Sequence, residues 1–138
     1  MKILLTCLFF FLIFEAGAVP SLTVDANEDG LPDQWYELTD GRVTTLKVDR
    51  DYDGRMDYLV KYNKKGKVTY EEYDYNYDGL MDDYYFYDDG RLIRQEIDTN
   101  FDEKVDVWVY LFDGIYIEKL EQDSDFDGQI DLVQEYGP

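Results

Sequence analysis

The chain has 138 residues, and its 32 acidic against 13 basic side chains give a formal net charge of -19. That length accommodates one domain. Aromatic content of 17% excludes a polar, core-less chain, and the charge excludes nucleic acid and anionic membranes as partners while favouring cations. With no His, a single Cys (Cys7) and only Ser21 and Ser124 as serines, imidazole catalysis, His-ligated zinc and any disulfide within one chain are excluded as well.

In chain order, Met1-Lys2 lead into an apolar run, Ile3–Phe14, followed by Ala16-Gly17-Ala18. The run is shorter than the about 20 residues a bilayer span requires. It predicts a secretory signal peptide over 1–18, cut after Ala18, and a mature chain 19–138 without a membrane span, placed in the periplasm, at the cell surface or outside the cell.

The mature chain then repeats itself. A short strand, Leu22–Val24, precedes DANEDGLPD from Asp25, and the same pattern returns as DRDYDGRMD from Asp49 and DYNYDGLMD from Asp74. DTNFDEKVD from Asp98 and DSDFDGQID from Asp123 complete five copies at spacings of 24, 25, 24 and 25 residues. Between copies lie pairs of β-prone segments around tight turns. Gln34–Leu38 and Arg42–Val48 flank Asp40-Gly41, and Tyr58–Tyr62 and Lys67–Tyr73 flank Asn63–Gly66. Asp83–Tyr87 and Arg91–Ile97 flank Asp89-Gly90, Val107–Phe112 and Ile115–Gln122 flank Asp113-Gly114, and Leu132–Tyr136 comes last. Asp-Gly between β-branched and aromatic residues marks a two-residue hairpin whose central positions both need positive φ. No 3.6-residue apolar stripe argues for helix.

The predicted fold is therefore all-β: an antiparallel meander of about ten strands in a single domain, with five loops at one end and short hairpins at the other. Strands such as Tyr84–Tyr87 and Val107–Tyr110 are apolar on both faces, so the sheet is expected to be covered on both sides, as a barrel, two layers or a solenoid. Trp35 and Trp108, each just beyond a loop, are expected in the core. The cations Lys61, Lys64, Lys65 and Lys67 are expected to form a solvated turn.

The loop pattern is D-x-[DN]-x-D-G-x-x-D, and calcium chemistry accounts for each position. A hard cation takes six to eight oxygens at about 2.3–2.6 Å. Positions 1, 3 and 5 offer alternating side-chain oxygens: Asp25, Asn27 and Asp29; Asp49, Asp51 and Asp53; Asp74, Asn76 and Asp78; Asp98, Asn100 and Asp102; Asp123, Asp125 and Asp127. Gly at position 6 permits a sharp turn, after which the carbonyl of position 7 points inward, at Leu31, Arg55, Leu80, Lys104 and Gln129. Position 9 supplies a closing carboxylate, at Asp33, Asp57, Asp82, Asp106 and Asp131. Without a counter-ion the carboxylates in each loop repel one another. Magnesium, which keeps its waters and prefers compact octahedral sites, suits these loops less than calcium does.

An EF-hand loop carries a bidentate Glu at position 12, where this chain has Tyr36, Val60, Tyr85, Val109 and Gln134. The nine-residue pattern resembles instead the EF-hand-like calcium loops of thrombospondin type 3 repeats and integrin α-subunit propellers. That resemblance implies one calcium per loop, up to five in all, between extended segments. Copy four has Glu103 in place of Gly, where a Cβ in the left-handed conformation costs about 1 kcal/mol, so the Asp98–Asp106 site is expected to be the weakest or most distorted. The segment Tyr87–Leu92 also resembles the YD repeats of large bacterial toxin shells.

Aromatic residues at loop position 4, Tyr52, Tyr77, Phe101 and Phe126, predict a ladder of rings. It serves either packing between repeats or a protein or carbohydrate ligand. Glu37, Glu71, Glu72, Glu96, Glu118, Glu121 and Glu135 lie outside the loops. A carboxylate pair among them is the only catalytic machinery available, of the glycoside-hydrolase kind. Their repetition argues for solvent-facing strand positions, so the chain is expected not to be an enzyme. The expected role is a calcium-stabilised structural, binding or adhesion module, with a calcium buffer or sensor as the alternative.

Overall fold

A computed structural model describes residues 21–137, so the predicted signal peptide over 1–18 lies outside the described residues. Ten strands follow in chain order: β1 (Ser21–Val24), β2 (Gln34–Thr39), β3 (Arg42–Val48), β4 (Tyr58–Tyr62), β5 (Val68–Tyr73), β6 (Asp83–Asp88), β7 (Arg91–Ile97), β8 (Val107–Phe112), β9 (Tyr116–Gln122) and β10 (Leu132–Glu135). Every strand pairs antiparallel with its sequence neighbours in one sheet of order β1 to β10. The all-β meander is as the sequence predicts, and no helix occurs among the described residues.

Of the three closures left open, the barrel and the two layers do not form: no strand touches any strand other than its sheet neighbours, and the meander is one open sheet. Its apolar core is correspondingly thin: among the described residues only Leu59 and Val60, side by side on β4, are buried hydrophobics. Trp35 and Trp108 are half-buried on the sheet surface. The two-sided apolar strands are shielded locally. Lys61 Nζ lies 4.9 Å from the Tyr70 ring centre, the Arg94 guanidinium 4.1 Å from that of Phe86, and Lys119 Nζ 4.4 Å from that of Tyr110. Their aliphatic stems cover ring surface while the charged heads stay in water. On the opposite face Tyr58, Tyr73 and Tyr85 pack ring to ring across three strands, at 4.6 and 5.5 Å between centroids. Contacts of this kind are worth about 0.2–1 kcal/mol per cross-strand pair.

The hairpin turns have the expected chemistry. Both central residues are left-handed at the two-residue turns Asp40-Gly41 (φ 52° and 73°) and Asp89-Gly90 (47° and 81°). Asp113-Gly114 is left-handed too (53° and 75°), but Phe112 pairs with Tyr116, so that turn has three residues and β9 begins after Ile115. At the longer turn the Asn63 side chain accepts the N–H of Lys65 and of Lys67. Each hairpin also slips register just before its turn, after Glu37, Lys61, Phe86 and Tyr110. These four repeated bulges increase the local twist.

Candidate metal centre

All five acidic loops lie along one end of the sheet, between β1 and β2, β3 and β4, β5 and β6, β7 and β8, and β9 and β10. Their conformation repeats because the side chains bond the same backbone groups each time. In the first four copies the position 1 carboxylate accepts the N–H of position 4 through one oxygen, as Asp49 does from Tyr52 at 2.7 Å. In all five its other oxygen accepts the N–H of position 6, as Asp49 does from Gly54 at 2.8 Å. The position 3 side chain accepts from the N–H of position 5, and position 5 accepts from that of position 7. The position 9 carboxylate reaches back to the N–H of position 2, at Ala26, Arg50, Tyr75, Thr99 and Ser124.

Position 4 is left-handed in every copy, the fifth included: Glu28, Tyr52, Tyr77, Phe101 and Phe126 have φ between 61° and 65°. Such values are uncommon for aromatic residues, and nothing in the repeat pattern announced them. The rings they carry are exposed, and no ring contact joins them among the described residues; the ring-to-ring contacts sit on the strands and at Tyr75. The predicted ladder does not form. Glu103 takes the position 6 conformation with φ 71°, and its N–H still donates to Asp98 at 2.8 Å. Copy four therefore keeps the backbone pattern of the others at a local cost of about 1 kcal/mol.

Successive loops are stitched together. The N–H of each position 1 aspartate donates to the carbonyl of the preceding position 9: Asp49 to Asp33, Asp74 to Asp57, Asp98 to Asp82 and Asp123 to Asp106, all at 2.8–2.9 Å. Packed between neighbours, Asp49, Asp74, Asp98 and Asp123 at position 1 and Asp33, Asp57, Asp82 and Asp106 at position 9 are buried. The outermost members, Asp25 and Asp131, are exposed. Burial pushes the carboxyls of Asp57 and Asp82 above their ordinary range, against the lowering effect of the backbone N–H groups they accept. Burial has the same effect on Asp83, which is also bonded to Gln95 and Tyr85.

Two carboxylate triads come close enough to hold a metal ion. Oxygens of Asp49, Asp51 and Asp53 lie within 4.8 Å of one another, as do oxygens of Asp123, Asp125 and Asp131. These are the two copies with Asp at position 3; the other three carry Asn27, Asn76 and Asn100 there. Asn27 and Asn76 donate their side-chain amides to Asp29 and Asp78 at 3.0 and 2.9 Å, so in those copies an amide proton relieves part of the repulsion between positions. Asp57 is absent from the second loop's triad and accepts the N–H groups of Arg50 and Asp51 at 2.5 and 3.3 Å. In the fifth loop the position 9 carboxylate does join, through Asp131, while Asp127 does not.

The donor set fits a hard cation. The Oδ2 of each position 1 aspartate accepts a single backbone N–H and keeps a lone pair, and the position 7 carbonyls of Leu31, Arg55, Leu80, Lys104 and Gln129 accept no hydrogen bond from the described residues. Three features escaped the sequence pattern. The Arg55 side chain pairs with Asp53 of its own loop and donates to the carbonyls of Tyr77 and Asp78 in the next. It lowers the Asp53 carboxyl below its usual range through its side-chain hydrogen bond, and so places a resident cation against one triad. Its guanidinium would also lie 2.6 Å from a Cβ at position 79, so Gly79 leaves it room. Thr99 and Ser124 add hydroxyl donors to Asp106 and Asp131 at 2.7 and 2.8 Å; a hydroxyl at position 2 was the available signal.

No family model matches the chain, and no curated protein matches it. Among solved structures it is similar to the crystal structure of accessory secretory protein 1, 2 and 3 in Streptococcus pneumoniae, with a TM-score of 0.46 and 16% identity. That match covers 67% of this chain and 17% of the other.

Proposed function

We propose that the chain is a non-catalytic, calcium-binding β-repeat module, exported through its N-terminal segment, in which the ion stabilises a sheet that displays a binding or adhesive surface. The observation that carries this reading is the distribution of burial. The sheet has two buried hydrophobics, whereas eight loop aspartates are buried in a row along one end. A carboxylate row of this kind is self-repelling without a counter-charge, and a cation bound only by the folded loops stabilises the fold by linkage.

Oxygen-only donors, alternating carboxylates and free backbone carbonyls suit calcium better than magnesium or a softer metal. The loops at Asp49–Asp57 and Asp123–Asp131, with a carboxylate at position 3, are the tighter sites, and the Asn-bearing loops the weaker. Among the described residues no helix is long and apolar enough to cross a membrane.

The test is calorimetric titration of the chain with calcium, with circular dichroism recorded in calcium and in chelator. Saturable uptake with a higher melting temperature is expected, the folded state gaining about 2.7 kcal/mol per site once free calcium reaches a hundred times Kd. An unchanged melting temperature with no heat of binding at millimolar calcium would refute the reading.

A further inference from the structure

The two edges of the sheet are each other's missing partners. Aligned on the repeat, β10 occupies the place of β8 and β1 that of β9: Leu132 corresponds to Val107, and Val24 to Gln122. Inside the chain β8 pairs with β9 as Val107↔Gln122, Trp108↔Glu121, Val109↔Leu120 and Tyr110↔Lys119. The outer edge of β10 and the outer edge of β1 have no such neighbour among the described residues.

Three further observations point the same way. First, the loop stitching leaves one donor and one acceptor over. The Asp25 N–H finds no acceptor and the Asp131 carbonyl no donor among the described residues, and they are the two ends of a series otherwise complete. Second, Asp25 and Asp131 are the exposed exceptions in two sets of otherwise buried aspartates, and a neighbouring loop on the open side of each would cover it. Third, the hairpin tips break their own rule at the last one. Arg42, Lys67 and Arg91, each just after a turn glycine, reach across to the next hairpin, at Lys64 O, Asp89 and Asp113. The fourth tip has Ile115 in that place, 74% exposed. With Phe112, Tyr116, Ile117 and Tyr136 it lines an apolar groove of about 680 Å³ beside β10.

We infer that the β10 edge is a docking site for the β1 edge of a second copy of this chain, adding strands head to tail and continuing the row of loops. The repeat fixes the register: Leu132↔Val24, Val133↔Thr23, Gln134↔Leu22 and Glu135↔Ser21. The backbone faces agree with it. The Tyr136 N–H turns inward onto Glu118 O, so the two-residue period directs the N–H and C=O groups of Val133 and Glu135 outward. Val24 O turns inward to the Asp33 N–H, which directs those of Thr23 and Ser21 outward. Because the two edges differ, the contact is heterologous and does not close as a two-fold dimer. Exposed strand edges associate in this way unless they are blunted, and β10 carries no Lys or Pro to blunt it.

The chain, purified as its producing cell leaves it, is examined by sedimentation velocity over a range of concentrations at physiological salt, where charge repulsion is screened beyond about 8 Å. The expected result is a mass that rises with concentration past that of a dimer. Val133→Pro removes an outward N–H without touching the β9–β10 bonds, and should hold the protein at single-chain mass with its β spectrum unchanged. In a Cys7→Ser background, Leu22→Cys mixed with Gln134→Cys should form an intermolecular disulfide that neither variant forms alone. Single-chain mass at every concentration, undiminished assembly of Val133→Pro, or Gln134→Cys cross-linking to itself with growth stopping at a dimer would each overturn the inference.

Discussion

The loop row and the strands of this sheet are held together by different means. Along the loops the buried groups are carboxylates, each satisfied by backbone N–H groups and each touching the loop before or after it. Along the strands only Leu59, Val60, Thr45 and Asp83 are buried among the described residues, and stability comes from cross-strand pairs whose rings are screened by the chain's own lysines and arginines. The difference teaches that a sheet with no second layer can still have an interior, provided that interior is polar and lies at its end. It also shows two roles that the repeat pattern had merged, building the loop and serving an ion: Asp57, at the second loop's position 9, is bonded to the backbone and stands outside the triad, while Asp51, at position 3, belongs to it.

Substitutions can separate those roles. Asp57→Ala strips the partner from the Arg50 and Asp51 N–H groups at the base of a buried loop, and should cost about 2–3 kcal/mol with or without calcium. Asp51→Ala removes an exposed triad member and should cost much less in chelator but substantially more in calcium. Thermal melts of both variants in both media would break the comparison if the two behaved alike. On the strand side, Leu59→Ala should cost about 2–3 kcal/mol in chemical denaturation. The same change at the exposed Leu132 should cost under about 1 kcal/mol; equal losses would mean that burial is not concentrated at β4.

Two smaller effects sharpen the picture. Glu103→Gly replaces a left-handed residue by the one that adopts that conformation freely, and should raise stability by about 1 kcal/mol in chelator and in calcium alike. The Glu37 carboxyl is held below its ordinary value of 4.5, first by its hydrogen bond from Lys47 and against the opposing effect of burial. A depressed carboxyl contributes stability that is present above its unfolded pKa and lost as pH falls through the folded one. Glu37→Gln should therefore cost about 0.5 kcal/mol near pH 7, the scale of a half-exposed ion pair, and nothing once the wild-type carboxyl is protonated. A pH series of melts on both proteins reads this directly.

The strand order, the Asp-Gly turns and the position of every loop were legible in the sequence because each rests on a local residue requirement. The single layer was not. Tyr84–Tyr87 and Val107–Tyr110 read as buried on both faces, and the cover over the rings comes from charged residues such as Arg94 and Lys119 on a neighbouring strand, which a period-two pattern counts as polar. The positive φ at Tyr52, Tyr77 and Phe101 was hidden for a related reason. Intrinsic preference opposes it, and the N–H of each is taken by a carboxylate three residues earlier that the metal reading had already assigned to an ion. Arg55 was overlooked as a bridge because only its carbonyl had a place in the pattern.

That every strand contacts only its neighbours has a mechanical consequence. Tension applied to the two ends of the chain meets only contacts between sheet neighbours, so the sheet peels inward from its edges, unit by unit. A repeat of 24 or 25 residues releases about 80 Å of extended chain at roughly 3.3 Å per residue. Under load such a module pays out length in small successive steps and re-forms them as the load falls, the behaviour of a tether with graded give.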